Sequence, residues 1–462
     1  MLLSQMARAI SAEFYGQDQA IRGFSTDTRS LKKGDVFVAL RGEHFDGHAY
    51  LSEAIAKECM AVVVDHFQPD LSVSQWVVAD TRLALGHMAE VWRLQFNALK
   101  VIAVTGSCGK TTVKDMLAAI CQQVAPTLAT VGNLNNDIGV PLTLLQLTEE
   151  HRFAVIEIGT NAPGEIAYSA KLAHPDVALI TNAAAVHLEG LGSVDNVAKE
   201  KGDIYRALSS EGIAVINLDD AHGEYWNHEV QAMKKHVVLC AKKSENQQAI
   251  FPDFCLENVT QAEQGMYQFD IVSASSRVSI EASLPGEHNV TNALLAAAAA
   301  KSVNIDDACI KAGLENVKSA PGRLNRYALP ERGWLLIDDS YNANPHSVKA
   351  AIDLLAQFKN GQTVLVLGDM AELGDDVRHY HREVGQWAKN KGIDYVFAVG
   401  RCAADVAEGF GETTQIFSEH AALIKVLPHL LKADMTILVK GSRSAKMEVI
   451  VQAIRNLERG SN

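Results

Sequence analysis

Short apolar runs bounded by polar or glycine-containing turns recur through the middle of the chain. They occupy 101–104, 153–158, 176–182 and 213–218. A run of this length predicts a strand that is covered on both faces, as in a parallel sheet. Further on, 266–273 and 277–282 alternate apolar and polar residues, which predicts antiparallel strands. The pattern predicts an α/β fold whose central parallel sheet carries added antiparallel strands.

Similar runs flank this central part of the chain. The first 82 residues contain strand-like runs at 36–40 and 61–64 with a helix around 50–58 between them, as in a small α/β unit. After a turn cluster at 319–323, four more runs alternate with helices; they occupy 334–338, 363–367, 395–399 and 435–439. We therefore expect three domains, at 1–82, 83–318 and 319–462, of which the last is a second, open βα sheet.

Composition narrows the class of protein. With 462 residues, 48% hydrophobic and 21% charged, the chain is too long for one core and has the make-up of a globular protein. Because it has no run of eighteen apolar residues, we expect no membrane insertion. It has no signal peptide, and its seven cysteines follow no metal-binding spacing, so we expect a cytoplasmic location. The net charge of −13 argues against nucleic-acid binding, so an anionic substrate needs local basic groups.

The run at 101–104 leads into a glycine-rich turn, T-G-S-C-G-K-T-T, and then into a helix with apolar residues at Val113, Met116, Leu117, Ile120 and Val124. Strand, glycine turn, Lys-Thr and helix form the layout of a phosphate-binding loop. Backbone N–H groups and the helix N-terminus face the phosphates, a lysine neutralises them, and a hydroxyl faces Mg²⁺. The loop residues are Gly106, Ser107, Cys108, Gly109, Lys110, Thr111 and Thr112. Val104 stands where the usual pattern has its first glycine, and the alternative is an ordinary turn with a solvated lysine.

Other polar residues follow predicted strands, the edge where α/β sheets bind ligands. Glu157 ends an apolar run, so its carboxylate needs a partner, such as Mg²⁺. His187 follows the strand at 176–182. Lys201 lies on a Lys/Glu-rich helix whose ordinary interpretation is a solvated face. Asn289 and Asn292 begin an alanine-rich helix, where asparagines commonly act as caps.

Together these clusters resemble the Mur ligase family of ATP-dependent amide-forming enzymes in peptidoglycan precursor synthesis. The resemblance covers nearly the whole chain. It rests on the phosphate loop, E-x-G-x-N at 157–161, T-N-x-x-x-x-H-L-E from Thr181, A-K-x-K-G-D-I-Y at 198–205, G-x-H-N-x-x-N at 286–292 and P-G-R at 321–323. Within the family, three further motifs resemble those of the enzyme that acts last in the series: D-S-Y-N-A-N-P at 339–345, G-D-M-x-E-L-G at 368–374 and K-G-S-R at 440–443. Residues 24–29 and the D-G-H at 46–48 also match an N-terminal domain that binds a UDP-linked substrate.

The resemblance implies a UDP-substrate domain, a central ATPase domain and a C-terminal Rossmann-like domain that closes over the site. It also implies that the chain joins D-alanyl-D-alanine to UDP-N-acetylmuramoyl-tripeptide. The tripeptide carboxylate would attack the γ-phosphate of ATP to give an acyl phosphate, and the dipeptide amine would then displace phosphate through a tetrahedral intermediate.

The resemblance also implies roles for individual residues. Besides Lys110, which would neutralise the phosphates, two Mg²⁺ ions would be held by Thr111 and Glu157 and by His187 and a carbamoylated Lys201. Asn289 and Asn292 would contact adenine, Arg323 the phosphates and Asp339 the ribose. The residues expected to bind the other substrates are Asp27, Arg29, Asp46, His48, Asn135, Asn161, Asn344, Asp369, Ser442 and Arg443.

Two alternatives stay open on the sequence. A related ligase such as folylpolyglutamate synthase shares the chemistry, but the clusters at 27–29 and 46–48 argue against it. A P-loop switch protein that uses ATP only to change conformation would leave the second metal site and the C-terminal clusters without a role. Those two N-terminal clusters are also typical of plain turns. We expect a monomer, and the sequence leaves the third residue of the tripeptide open.

Overall fold

The computed structural model describes residues 1–42, 45–242, 251–358 and 361–459. Three sheets of five, nine and six strands organise these residues, and a two-stranded ribbon accompanies the first. The α/β class with added antiparallel strands is confirmed. None of the described helices is long and apolar enough to cross a membrane.

The first sheet has the order β1-β7-β6-β3-β2, and β4 pairs with β5. Its strands are β1 (Glu13–Tyr15), β2 (Phe24–Ser25), β3 (Val36–Val38), β4 (Arg41–Gly42), β5 (Phe45–Asp46), β6 (Ala61–Val64) and β7 (Ser74–Val77). The helices of this part are α1 (Leu3–Ala9) and α2 (Leu51–Ala56); α3 (Thr81–Arg93) follows β7 and packs mainly against helices of the next part of the chain. Every residue of β3 and β6 is buried, because the sheet is covered on both faces.

The second sheet has the order β16-β15-β14-β13-β12-β11-β8-β10-β9. Its strands are β8 (Lys100–Thr105), β9 (Thr127–Ala129), β10 (Phe153–Glu157), β11 (Val177–Ile180), β12 (Ile213–Asn217), β13 (His236–Lys242), β14 (Phe254–Gln261), β15 (Tyr267–Ser273) and β16 (Arg277–Glu281). The pairs from β9 to β14 are parallel, and β14-β15 and β15-β16 are antiparallel.

Eight helices accompany this sheet. They are α4 (Lys110–Gln122), α5 (Gly139–Leu144), α6 (Glu165–Ala173), α7 (Leu188–Leu191), α8 (Val194–Arg206), α9 (Gly223–Ala232), α10 (Glu287–Ser302) and α11 (Asp307–Asn316). The expected apolar face of α4 is confirmed for Val113 to Ile120. The prediction that Val124 belongs to this face is wrong, because α4 ends at Gln122 and Val124 is exposed.

The third sheet has the order β17-β18-β22-β19-β20-β21. Its strands are β17 (Asn325–Leu329), β18 (Trp334–Asp339), β19 (Gln362–Gly368), β20 (Tyr395–Val399), β21 (Gln415–Phe417) and β22 (Met435–Lys440). Its helices are α12 (Pro345–Leu355), α13 (Val377–Asn390), α14 (Ala403–Phe410), α15 (His420–Leu430) and α16 (Glu448–Arg459). All pairs are parallel except β17-β18.

Candidate active site

The phosphate loop lies between the carboxyl ends of β8 and β11. Gly106 and Gly109 have positive φ angles of 151° and 80°. A Cβ atom on Gly106 would collide with the Thr181 hydroxyl, and one on Gly109 would lie 2.7 Å from Asn292 Oδ1. The loop can therefore have this shape and these neighbours only with glycine at both positions.

Thr181 and Asn182, at the end of β11, fix the middle of the loop. Thr181 Oγ1 donates to the Cys108 carbonyl at 2.5 Å. Asn182 accepts from the Cys108 N–H at 2.9 Å and donates to its carbonyl at 3.1 Å. The Ser107 hydroxyl accepts from the Ala184 N–H at 2.9 Å. The T-N pair of the sequence motif thus holds the loop in place.

Lys110 and Thr111 begin α4. The Lys110 amine donates to the Gly106 carbonyl at 2.7 Å, so it lies over the loop. Burial lowers the pKa of Lys110, and the nearby Glu157 carboxylate offsets part of that effect. Burial also raises the pKa of the Cys108 thiol, which is typical of an inert packing cysteine.

Glu157 ends β10 in a buried position, with 2% of its surface exposed. Its Oε1 accepts from Asn135 Nδ2 at 2.8 Å. Its Oε2 is buried and has no hydrogen-bond partner among the described residues. An unpaired buried carboxylate oxygen is costly, so this atom is suited to a cation.

His187 and Lys201 lie on the neighbouring elements. His187, just before α7, has its Nδ1 2.5 Å from Glu372 Oε2. Lys201, on α8, is 1% exposed, so the solvated-face interpretation is wrong. Burial, with a smaller contribution from the Lys110 charge, lowers the pKa of Lys201 to about 7. Within the described part of the chain, the Lys201 amine has neither a hydrogen bond nor an ion pair.

Asn289 and Asn292 lie inside α10, whose N-cap is Gly286 without a side-chain cap. The capping interpretation is therefore wrong. Asn289 donates to the Pro285 carbonyl at 2.7 Å and accepts from Asn292 at 3.0 Å. Both side chains are buried, and Asn292 faces Gly109 of the phosphate loop.

The third sheet meets the phosphate loop through Arg323 and Asn344. Arg323 donates to the Thr111 hydroxyl at 3.0 Å and stacks on the Tyr341 ring at 4.4 Å. Asn344 caps α12, and its side-chain amide Nδ2 is 3.2 Å from Cys108 Sγ. Residues that are 212 and 236 positions apart in the chain thus lie on one site.

Asp339 ends β18, Asp369 follows β19, and Ser442 and Arg443 follow β22. Asp339 pairs with Lys440 at 2.5 Å, and the Lys440 side chain is 3% exposed. Asp369 accepts from the Arg401 and Cys402 N–H groups at 2.9 and 3.0 Å, and its carbonyl accepts from Ser442. Arg443 is exposed and pairs with Glu448 at 3.1 Å. In this arrangement Asp369 holds loops together.

The remaining expected substrate residues lie elsewhere. Asn161 is exposed, and its N–H donates to Glu165 at 2.7 Å. In the turn after β2, Asp27 pairs with Arg29 at 2.7 Å, and the hydrogen bond from Arg29 lowers the pKa of Asp27. Asp46 accepts from the His48 ring at 2.7 Å. Both pairs are turn-type contacts whose outer faces stay accessible.

Sequence reasoning missed two residues, Glu372 and Lys440. Both lie in motifs that were recognised, G-D-M-x-E-L-G and K-G-S-R. The hydrogen bond from His187 lowers the pKa of Glu372. Only the folded chain shows what these two residues contact, because their partners lie far away in sequence.

The fold and the loop define a nucleotide-binding α/β protein, and comparisons with known proteins define its family. The Mur ligase middle domain matches residues 104–300, and the Mur ligase glutamate ligase domain matches residues 322–443. The chain belongs to the Mur ligase family.

Two relatives match nearly the full length. The UDP-N-acetylmuramoyl-tripeptide--D-alanyl-D-alanine ligase of Escherichia coli is 44% identical over 98% of this chain and 98% of its own. The ligase of the same name from Haemophilus influenzae is 39% identical, with the same coverage. A crystal structure of MurF from Acinetobacter baumannii superimposes with a TM-score of 0.89 at 34% identity, covering 99% of this chain and 98% of that one.

Proposed function

We propose that the chain is an ATP-dependent ligase that joins D-alanyl-D-alanine to UDP-N-acetylmuramoyl-tripeptide in peptidoglycan precursor synthesis. The names of the two full-length relatives support this reaction. The observation that carries it is the buried Glu157 carboxylate, whose Oε2 has no hydrogen-bond partner among the described residues and whose charge offsets part of the burial effect that lowers the pKa of Lys110. A phosphate loop beside an unpaired carboxylate suits transfer of a phosphoryl group from a metal-bound nucleotide.

In this reaction the tripeptide carboxylate attacks the γ-phosphorus of ATP, and ADP leaves with the electrons of the broken P–O bond. The dipeptide amine then attacks the acyl carbonyl, loses a proton and expels phosphate. Because several negative charges meet in the first step, the chain contributes mainly positive groups and position. Lys110 would lie against the β/γ-phosphates, and Arg323 would approach from the third sheet.

The residues present fit Mg²⁺ at two places. Thr111 and Glu157 would hold one ion, since they offer a hydroxyl and an unpaired carboxylate oxygen. His187 and Lys201 would hold the other, provided that Lys201 carries a carbamate. Bound Mg²⁺ would neutralise charge on the transferring phosphoryl group.

The burial of Lys201 supports the carbamate. Reaction with CO₂ needs a neutral amine; it forms an N–C bond, releases one proton and turns a cation into an anionic oxygen ligand. An ordinary lysine is almost wholly charged at neutral pH, whereas the pKa of Lys201 is about 7. A large fraction of its amine is therefore neutral and available.

We further propose that the three sheets correspond to domains at 1–82, 83–318 and 319–462. Asp27, Arg29, Asp46 and His48 would contact the UDP moiety, and Asn135 and Asn161 the peptide. Asn289 and Asn292 would contact adenine, and Asp339 the ribose. Asn344, Asp369, Ser442 and Arg443 would line the dipeptide site. Its use of ATP and a UDP-linked substrate would place the enzyme in the cytoplasm. We also propose that the enzyme is a monomer.

A coupled phosphate-release assay tests the reaction. We expect phosphate only when ATP, UDP-N-acetylmuramoyl-tripeptide and D-alanyl-D-alanine are all present, with one amide formed per phosphate. Phosphate release that ignores the dipeptide would favour a nucleotide switch. Turnover with a folate and glutamate would favour the folylpolyglutamate alternative, which the full-length relatives do not support. Comparing lysyl and diaminopimelyl tripeptides identifies the third residue.

A further inference from the structure

Glu372 contacts the start of α7 twice. Its carboxylate Oε2 lies 2.5 Å from His187 Nδ1, and its backbone carbonyl accepts from the Leu188 N–H at 3.1 Å. Glu372 follows β19 of the third sheet, and His187 follows β11 of the second. The contact therefore joins the strand ends of two sheets at one point of the site.

Both residues have left-handed backbone conformations, with φ of 53° for His187 and 63° for Glu372. For residues other than glycine this conformation is unfavourable. The Glu372 side chain is 54% exposed and that of His187 is 23% exposed, and a contact this open to solvent typically contributes little to stability. Two residues in an unfavourable backbone conformation and a solvent-exposed side-chain contact add little to the stability of the fold, so stability does not explain why His187 and Glu372 are in contact.

The contact between Glu372 and His187 is better explained by its effect on the orientation of the imidazole ring. A carboxylate acceptor at Nδ1 places the ring proton there and leaves the lone pair on Nε2. Histidines that bind metals commonly have such a partner on the other nitrogen, which fixes both the tautomer and the ring plane. His187 has this partner, but the partner comes from the other sheet.

We propose that Glu372 is a positioning residue that orients His187 for cation binding, so that this half of the metal site is complete only when the third sheet lies against the second. The inference rests on the proposed role of His187 as a ligand. It links the approach of the C-terminal part of the chain to assembly of the charge-neutralising site. An enzyme built this way cannot transfer the phosphoryl group efficiently while it is open.

Two variants of Glu372 and one control test the proposal. Glu372→Ala removes the acceptor. Glu372→Gln keeps an amide oxygen that can accept the Nδ1 proton but has no charge. Gln357→Ala is the matched control, because Gln357 accepts from Gln261 at 2.8 Å and so joins the same two parts of the chain without touching His187.

The first measurement is the binding of Mn²⁺ to the full-length protein with a non-hydrolysable ATP analogue, followed by electron paramagnetic resonance. We expect Glu372→Ala to weaken binding of one of the two ions by about 10–100-fold, Glu372→Gln to restore most of it, and Gln357→Ala to change little. The Mg²⁺ concentration for half-maximal ligation should rise by a similar factor in Glu372→Ala.

The second measurement is the tautomer of His187, from ring nitrogen shifts in labelled protein, with His187→Gln to assign the signal. We expect the Nδ1–H form in the wild type and its loss in Glu372→Ala. Unchanged Mn²⁺ binding and tautomer in Glu372→Ala, or equal weakening by Gln357→Ala, would overturn the proposal. Neither measurement needs turnover, so a failure of the ligase reaction itself would be seen separately, in the wild-type assay.

Discussion

The hydroxyl of Thr111 accepts a hydrogen bond from Arg323 at 3.0 Å, although 212 positions separate the two residues. Thr111 belongs to the first turn of α4, and Arg323 to the turn that precedes the third sheet. A residue expected to face the metal is thus in direct contact with one expected to face the phosphates. The proposed nucleotide site would therefore be built from two parts of the chain.

Arg323→Ala should weaken nucleotide binding. The variant loses a charged donor at the phosphates and the stacking on Tyr341, so we expect a loss of about 10–100-fold in affinity for an ATP analogue, by calorimetry. Arg323→Lys should recover only part, because an ammonium keeps the charge but not the planar stack. Arg332→Ala, at the opposite end of β18 and also beside an aromatic ring, is the control and should bind normally.

Closure around the substrates is the second prediction. In this structure the third sheet already contacts the loop through Arg323 and Asn344, so closure requires that the free protein also adopts a more open form in which these contacts are broken. The chain between the two sheets turns at Gly322, whose φ is +71°. We expect hinge motion at 319–322 on binding. Small-angle scattering should give a smaller radius of gyration with an ATP analogue and UDP-tripeptide than for the free protein. Identical dimensions would contradict it.

Lys110→Ala should abolish ligation and leave the fold intact. Among the described residues the Lys110 amine has one hydrogen bond, to the loop carbonyl of Gly106, and the residue is half-buried outside the apolar core, so its truncation should leave no core cavity. Losing a charge at the transferring phosphoryl group should lower kcat by about 10²–10³ or more. Circular dichroism and the melting temperature check the fold, and Lys100→Ala, an exposed lysine at the start of β8, is the control. Near-normal turnover by folded Lys110→Ala would refute the assignment.

The central strands could be predicted because burial on both faces leaves a continuous apolar run. The run at 101–104 became β8, one residue longer at each end. β14 and β21 could not be predicted, since half of the residues of β14 are polar and β21 is largely exposed. Their hydrogen-bonded neighbours define them, and pairing between distant segments leaves no local signal.

The residues of the candidate site likewise fall into those that could be predicted from the sequence and those that could not. The phosphate loop is a local motif, so its residues could be found from spacing alone. The burial of Lys201 could not, because its segment A-K-E-K-G is polar and only the packing of α8 encloses one lysine and exposes the other. The partner of His187 lies on another sheet and has no signal in the spacing around either residue.

Glu157→Gln should separate stability from function. The wild-type carboxylate has one buried, unpaired oxygen, and a neutral amide removes the buried charge while it keeps the bond from Asn135. We expect equal or higher melting temperature but no ligation. Mg²⁺ with an ATP analogue should raise the melting temperature of the wild type more than that of the variant.

Asn135→Ala makes the converse change to Glu157→Gln: it removes the hydrogen bond to Glu157 and keeps the buried charge. It leaves both oxygens of Glu157 without a protein partner, so it should lower stability by about 1–3 kcal/mol. A Glu157→Gln protein that melts well below the wild type would mean that Glu157 stabilises the fold and would remove the main support for a metal there.

Lys201 gives the last prediction. If the site needs an anionic oxygen ligand, Lys201→Ala should lose most activity and Lys201→Arg should do no better, because a guanidinium is always charged and cannot become a carbamate. Lys199→Ala is the control, since Lys199 is exposed on the same helix. Acetate should partly restore turnover in Lys201→Ala by supplying a carboxylate, and it should have no such effect on Lys201→Arg, whose side chain fills the space.

The pH dependence follows from the same chemistry. Burial places the pKa of Lys201 at about 7, so the neutral amine predominates above that pH and becomes scarce below it. Enzyme stripped of CO₂ should therefore regain activity on adding bicarbonate readily at pH 8 and poorly at pH 6, whereas acetate-rescued Lys201→Ala should not depend on CO₂ at all. Lys201→Arg with normal turnover, or wild-type activity indifferent to CO₂ at both pH values, would show that Lys201 acts as an unmodified buried amine.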